Sequence, residues 1–106
     1  MNKTLIEIQK EVDEYINQFK TGYFSPAEQM LRMTEEIGEL AREINHHYGS
    51  KQKKQSELPK EISEELGDVL FVLTTLANSL DIDLEESFQT TMKKFNERDR
   101  DRFERK

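Results

Sequence analysis

Apolar residues recur three and four positions apart along four successive stretches of this 106-residue chain, each behind a helix-start signal. The first stripe is Leu5, Ile8, Val12, Tyr15, Ile16 and Phe19, with Thr4 as N-cap, Glu7 completing a capping box, and a break at Gly22. The second is Met30, Met33, Ile37, Leu40, Ala41 and Ile44, behind Ser25, Pro26 and Glu28. Pro59 opens the third, whose seam is Ile62, Leu66, Val69, Leu70, Leu73, Ala77 and Leu80. Phe71 and Val72 lie off that seam, so this helix is expected to be the most buried. Asp83, with Glu86, starts the last, which carries Leu84, Phe88, Met92 and Phe95. With two prolines and four glycines, the chain has few breakers. The expectation is an all-α fold: a four-helix bundle forming one domain over residues 1–106, with its core at 4–98 and a frayed, charge-dense end at 99–106. "GSKQKKQSEL" has no periodicity and reads as a mobile basic loop.

The chain is 34% hydrophobic and 36% charged, which is lean for a self-sufficient core. Pairing with itself, as a dimer or tetramer, would bury more surface. The absence of cysteine excludes disulfides and thiolate metal sites and fits a cytoplasmic location. No apolar run approaches the roughly 18 residues of a membrane span, and the N-terminal stretch lacks a signal-peptide core. A net charge of −6 disfavours nucleic acid as a partner. It leaves room for a phosphorylated small molecule, because a metal ion can bridge two anionic groups.

"TEEIGEL" (34–40) and "SEELGDV" (63–69) match in residue type at every place: hydroxyl, Glu, Glu, aliphatic, Gly, acid, aliphatic. At about 100° per residue, Glu36, Glu43 and Glu39 fall about 100–160° to one side of Ile37. Glu65, Glu61 and Asp68 fall over about the same range from Leu66. The phrase therefore sets two acids in one orientation on each of two neighbouring helices, which the intervening loop allows to pack antiparallel. If the flanks meet, Glu36, Glu39, Glu65 and Asp68 form a four-carboxylate pocket. Two carboxylates about 4 Å apart repel by roughly 4 kcal/mol at an effective dielectric of about 20. Such a pocket calls for a cation, and oxygen-only ligands suit Mg²⁺ or Mn²⁺ better than zinc or copper. The plainer alternative is a solvated acidic flank beside each seam. Gly38 and Gly67 argue against it: each costs about 1 kcal/mol in a helix interior, and both hold the same angular position, as if something approaches closely there.

These phrases, read as Glu36-Ile37-Gly38-Glu39 and, 25 residues on, Glu65-Leu66-Gly67-Asp68, resemble the MazG-like nucleoside triphosphate pyrophosphohydrolases, whose pattern is ExxE, a spacer, then ExxD. The likeness covers roughly residues 23–98 and is greatest to short single-domain members. It implies an all-α homo-oligomer whose bundles are completed across subunits. It also implies a Mg²⁺ requirement, with Mn²⁺ able to substitute, and cleavage of a nucleoside triphosphate between its α and β phosphates in nucleotide-pool housekeeping. By position, Glu36, Glu39, Glu65 and Asp68 would be the metal ligands, and Lys94 and Arg98 would hold phosphate. Lys94 and Arg98 also share one flank of their helix, although cations near a helix C-terminus are favoured by the macrodipole in any case. Glu35, beside the ligand set, is a candidate base for the attacking water.

Where many relatives carry a tryptophan near the start of the second helix, this chain has Tyr23 and Phe24, which could stack on a base or cap the core. His46 and His47 point about 100° apart and are expected at the surface. The Lys51–Lys54 run could close over a triphosphate or simply keep a loop soluble. Two other classes compete: a non-catalytic helical interaction module with acidic partner-binding faces, and a di-iron carboxylate bundle. The second is disfavoured because neither phrase offers a histidine at Glu-x-x-His spacing.

Overall fold

The computed structural model describes residues 2–49 and 61–106. Four helices run in order: α1 Leu5–Ile16, α2 Pro26–Tyr48, α3 Ile62–Ser79 and α4 Leu84–Arg98. Among the described residues no strand occurs. The Lys51–Lys54 run, Pro59 and most of the expected basic loop lie outside the described residues.

The starts follow local chemistry. Thr4 Oγ1 accepts from the Glu7 amide while the Glu7 carboxylate accepts from the Thr4 amide, closing the expected capping box. Ser25 caps α2 by accepting from the Glu28 amide, with Pro26 at the first helical position. Here the Glu28 carboxylate accepts from the Ser25 hydroxyl. Asp83 caps α4 through the amides of Glu85 and Glu86. The first helix is shorter than its apolar stripe suggests: α1 ends at Ile16, and Phe19 sits in the following turn, exposed. Gly22, at φ +62°, then turns the chain through a left-handed conformation that glycine adopts without strain.

α3 is central, packing on both α1 and α2, while α4 packs on α1 and only marginally elsewhere. The buried side of α3 is partly polar. Thr74 and Thr75 donate their hydroxyls to the Leu70 and Val72 carbonyls (2.7 and 2.8 Å), so they are buried with their hydrogen bonds made. One side chain closes the α3–α4 turn, where Asp81 adopts φ +57°. Gln9 donates to Asn78 Oδ1 and the Ile82 carbonyl and accepts from the Leu84 amide, each at 2.9 Å. Tyr23 donates to Asp13 (2.7 Å) and accepts from Asn78 (3.1 Å), pinning the α1–α2 connection to α1 and α3.

The buried face differs from the expected seam. On α2 it runs through Gln29, Met33, Glu36, Leu40 and Glu43, whereas Met30, Ile37 and Ile44 are 40–50% exposed. On α3, Leu66, Leu70, Leu73 and Leu80 are likewise open, and Glu65, Val72 and Thr75 face inward. The physical reason is that α2 and α3 pack on each other through the faces that carry Glu36 and Glu65, which leaves the apolar seams beside those faces open.

Candidate metal centre

Glu36 of α2 and Glu65 and Asp68 of α3 each place a carboxylate oxygen within 4.8 Å of the other two. The repeated phrase accounts for this, because it sets its acids at one bearing on each helix and the two helices pack together. The cluster is graded in depth: Glu65 is 0% exposed, Glu36 half-buried and Asp68 exposed. Glu39, exposed on α2, lies outside that trio yet acts on it electrostatically.

Glu36 carries the electrostatic consequence. Burial, first, and then the charges of Glu39, Asp68 and Glu65 push its carboxyl above the usual range, with Arg32 opposing. Its Oε2 is buried without a hydrogen-bond partner among the described residues. A buried carboxylate oxygen in that position is costly as it stands and well matched to a hard cation. The donor set is oxygen throughout, as magnesium and manganese prefer.

The other expected site residues fall in different places. Glu35 is exposed on α2, outside the trio. Lys94 and Arg98 sit on α4, which packs on α1, so one protomer does not bring them to the carboxylates. Both lie over the Phe95 ring, at 5.1 and 4.8 Å from its centre, and Arg98 grips Asp99 through two nitrogens. Tyr23 and Phe24 line a cavity of about 30 Å³ with Ile16, Gln29, Arg32, Phe71 and Thr75. Tyr23 is half-buried and Phe24 is exposed over much of its surface. His47 is exposed and lies 3.8 Å from the Glu43 carboxylate, whereas His46 is half-buried.

Three polar residues of this region went unmarked in the apolar pattern: Gln29 (3% exposed), Arg32 and Glu43 (5% exposed). Their signal is a count of seven. Gln29 and Glu43 stand seven places before and after Glu36, which returns a helix to within about 20° of the same bearing. Gly38 and Gly67 also depart from expectation, for a Cβ at either would meet nothing within 4 Å among the described residues.

Two packed helices that turn matching Glu-x-Gly-acid phrases into one oxygen-only cluster define an all-α protein with a carboxylate cluster that could hold a metal ion. Within that class the chain belongs to the MazG nucleotide pyrophosphohydrolase family, whose domain it matches over residues 24–103. α1 precedes the matched region, although it packs on α3. The chain is 63% identical over 105 residues to the uncharacterized protein YpjD of Bacillus subtilis strain 168, covering 99% of this chain and 95% of that one. The crystal structure of Bacillus subtilis YpjD superposes with a TM-score of 0.82 at 62% identity, covering 91% of this chain and 98% of that one. The Bacillus-conserved MazG protein, a nucleotide pyrophosphohydrolase, superposes at 0.79 and 57% identity, covering 90% and 92%.

Proposed function

We propose that this protein is a Mg²⁺-dependent nucleoside triphosphate pyrophosphohydrolase, with Mn²⁺ able to substitute. It converts a ribo- or deoxyribonucleoside triphosphate and water to the monophosphate and pyrophosphate, as housekeeping of the nucleotide pool. The observation that carries this is the Glu36–Glu65–Asp68 cluster, with its unpartnered buried oxygen, in a chain of this family. The family's activity supports the phosphoanhydride chemistry, and the carboxylates supply the means to hold the triphosphate's counter-ion.

Glu36, Glu65 and Asp68, with Glu39 at the rim, would hold the cation. Bound there, it would neutralise charge on phosphate oxygens and acidify a water. The chain's own residues do the rest. Glu65 fixes the depth of the site, and Asp68 and Glu39 leave its mouth open to a polyanion. Glu35 is the assigned base, oriented from outside the cluster. One P–O bond of the α–β bridge breaks as one to the water oxygen forms, and the water's proton leaves to that base.

The active form is a homo-oligomer. Met30, Ile37 and Ile44 on α2 and Leu66, Leu73 and Leu80 on α3 are open at spacings of seven, beside two glycines with space around them. A second copy laid on that face would cover these side chains and could present its Lys94 and Arg98 to the phosphates. Among the described residues no helix is long and apolar enough to cross a membrane. A cytoplasmic location matches the substrate.

The test is a panel of canonical, deoxy and oxidised nucleotides assayed with Mg²⁺. Monophosphate and pyrophosphate are expected, and orthophosphate with diphosphate would contradict the assigned bond. Sedimentation at micromolar concentration should show a dimer or tetramer, which Leu73→Asp converts to monomer.

A further inference from the structure

Gln29 is 97% buried by its 3% exposure, and its amide can be oriented without ambiguity. Nε2 lies 2.5 Å from the Phe24 carbonyl and 2.6 Å from Ser79 Oγ. A carbonyl only accepts, so the nitrogen faces it. The Ser79 hydroxyl in turn donates to the Thr75 carbonyl at 2.8 Å, leaving its lone pair for Gln29. Both amide hydrogens are therefore committed. Oε1 remains buried with no partner among the described residues, and Gln29 lines the cavity of about 30 Å³.

A buried amide oxygen without a donor costs about 1–3 kcal/mol, so the arrangement points to something that brings one. The cavity has room for one small group. Its other side-chain hydroxyls donate elsewhere: Tyr23 to Asp13 and Thr75 to the Val72 carbonyl. Aromatic surface from Tyr23, Phe24 and Phe71 flanks the opening. Gln29 precedes Glu36 by two helical turns on the same bearing, about 10 Å along the axis, a separation that a nucleoside can span.

We infer that Gln29 is a specificity-determining residue, its Oε1 accepting a hydrogen bond from the exocyclic amino group of a cytosine- or adenine-type nucleotide. This rests on the nucleotide activity proposed above. An amino group projects from its ring and enters a narrow slot with a donor foremost. The ring N–H of uracil is flanked by two carbonyl oxygens, which would be driven against the Gln29 and Phe24 oxygens. The aromatic ring of the base lies against Tyr23 or Phe24, outside the slot.

The test compares kcat/KM for CTP and ATP with their des-amino analogues, the triphosphates of pyrimidin-2-one riboside and purine riboside. The protein is tested as wild type, Gln29→Met and Ser79→Ala. Wild type is expected to lose about tenfold or more when the amino group is removed. Gln29→Met should bring that ratio near one, whereas Ser79→Ala, which perturbs the same packing but leaves Oε1 in place, should keep it. A general loss of structure lowers all nucleotides alike and leaves the ratio unmoved. Equal rates for amino and des-amino nucleotides in wild type would mean that the cavity holds solvent only, and would overturn the inference while the hydrolase activity stands. A ratio that survives Gln29→Met would assign the selection to another group. If no nucleotide is hydrolysed at all, the underlying activity falls as well.

Discussion

The α2–α3 pair and α4 carry the two charge types that phosphoanhydride chemistry needs, and the protomer treats them differently. The acids are gathered: Glu36, Glu65 and Asp68 converge within 4.8 Å of one another. The cations are not, for α4 rests on α1 and its Lys94 and Arg98 sit over its own Phe95. Gathering like charges is costly, and Arg32 offsets that cost at Glu36 only in part; a bound cation would offset more. The difference teaches that the described chain gathers its acids without gathering its cations.

The most severe way to break the acid half is to remove a single charge from it. Asp68→Asn should lower turnover by about a thousandfold or more while helicity is retained, in line with losses of preorganised charge in other enzymes. Its thermal stability without divalent cation should equal or exceed that of wild type, because a repulsion has gone. Mg²⁺ should raise the melting temperature of wild type and not of the variant. Retained activity would remove Asp68 from the ligand set.

A subtler cut separates the halves between molecules. Arg98→Ala should lower kcat/KM by about tenfold to a hundredfold, the scale of a lost charged hydrogen bond. Mixing it with Asp68→Asn, after brief unfolding and refolding together, should recover part of the activity through hybrid sites. Absence of recovery, with both variants still oligomeric, would place the cation and the acid on one chain.

The smallest expected effect concerns α1, which touches both halves. Burial, with the Asp13 hydrogen bond next, pushes the Tyr23 hydroxyl up to about 12. Its folded value therefore lies above the ordinary 10, so its contribution is complete below pH 10 and is lost as pH rises towards 12. Tyr23→Phe should flatten the fall in melting temperature across that window, and ultraviolet titration should show one phenol fewer ionising at its upper end.

Much of this was legible in the chain, and the rest failed for identifiable reasons. Thr4, Ser25 and Asp83 could be read as caps because capping is decided within four residues. The carboxylate pairs could be read because the phrase occurs twice at one bearing. Which face turns inward could not be read. Ile37, Ile44, Leu66 and Leu73 are apolar yet open on the described chain, and hydropathy alone does not distinguish an open apolar face from one turned inward. The burial of Gln29 could not be read, because a polar residue counts as outward in a periodicity, whatever its bearing. Phe19 fits the stripe of α1 by spacing alone, and the turn begun at Asn17 leaves it outside the helix.

The joint at Gln9 has a mechanical meaning. That one amide fixes only the root of α4, while Arg98 stands about 21 Å farther along the helix. Were the helix to pivot at that end, a swing of about 10° would carry the guanidinium through about 4 Å. The tip of α4 is therefore far more sensitive to the geometry beside Leu84 than the turn itself is.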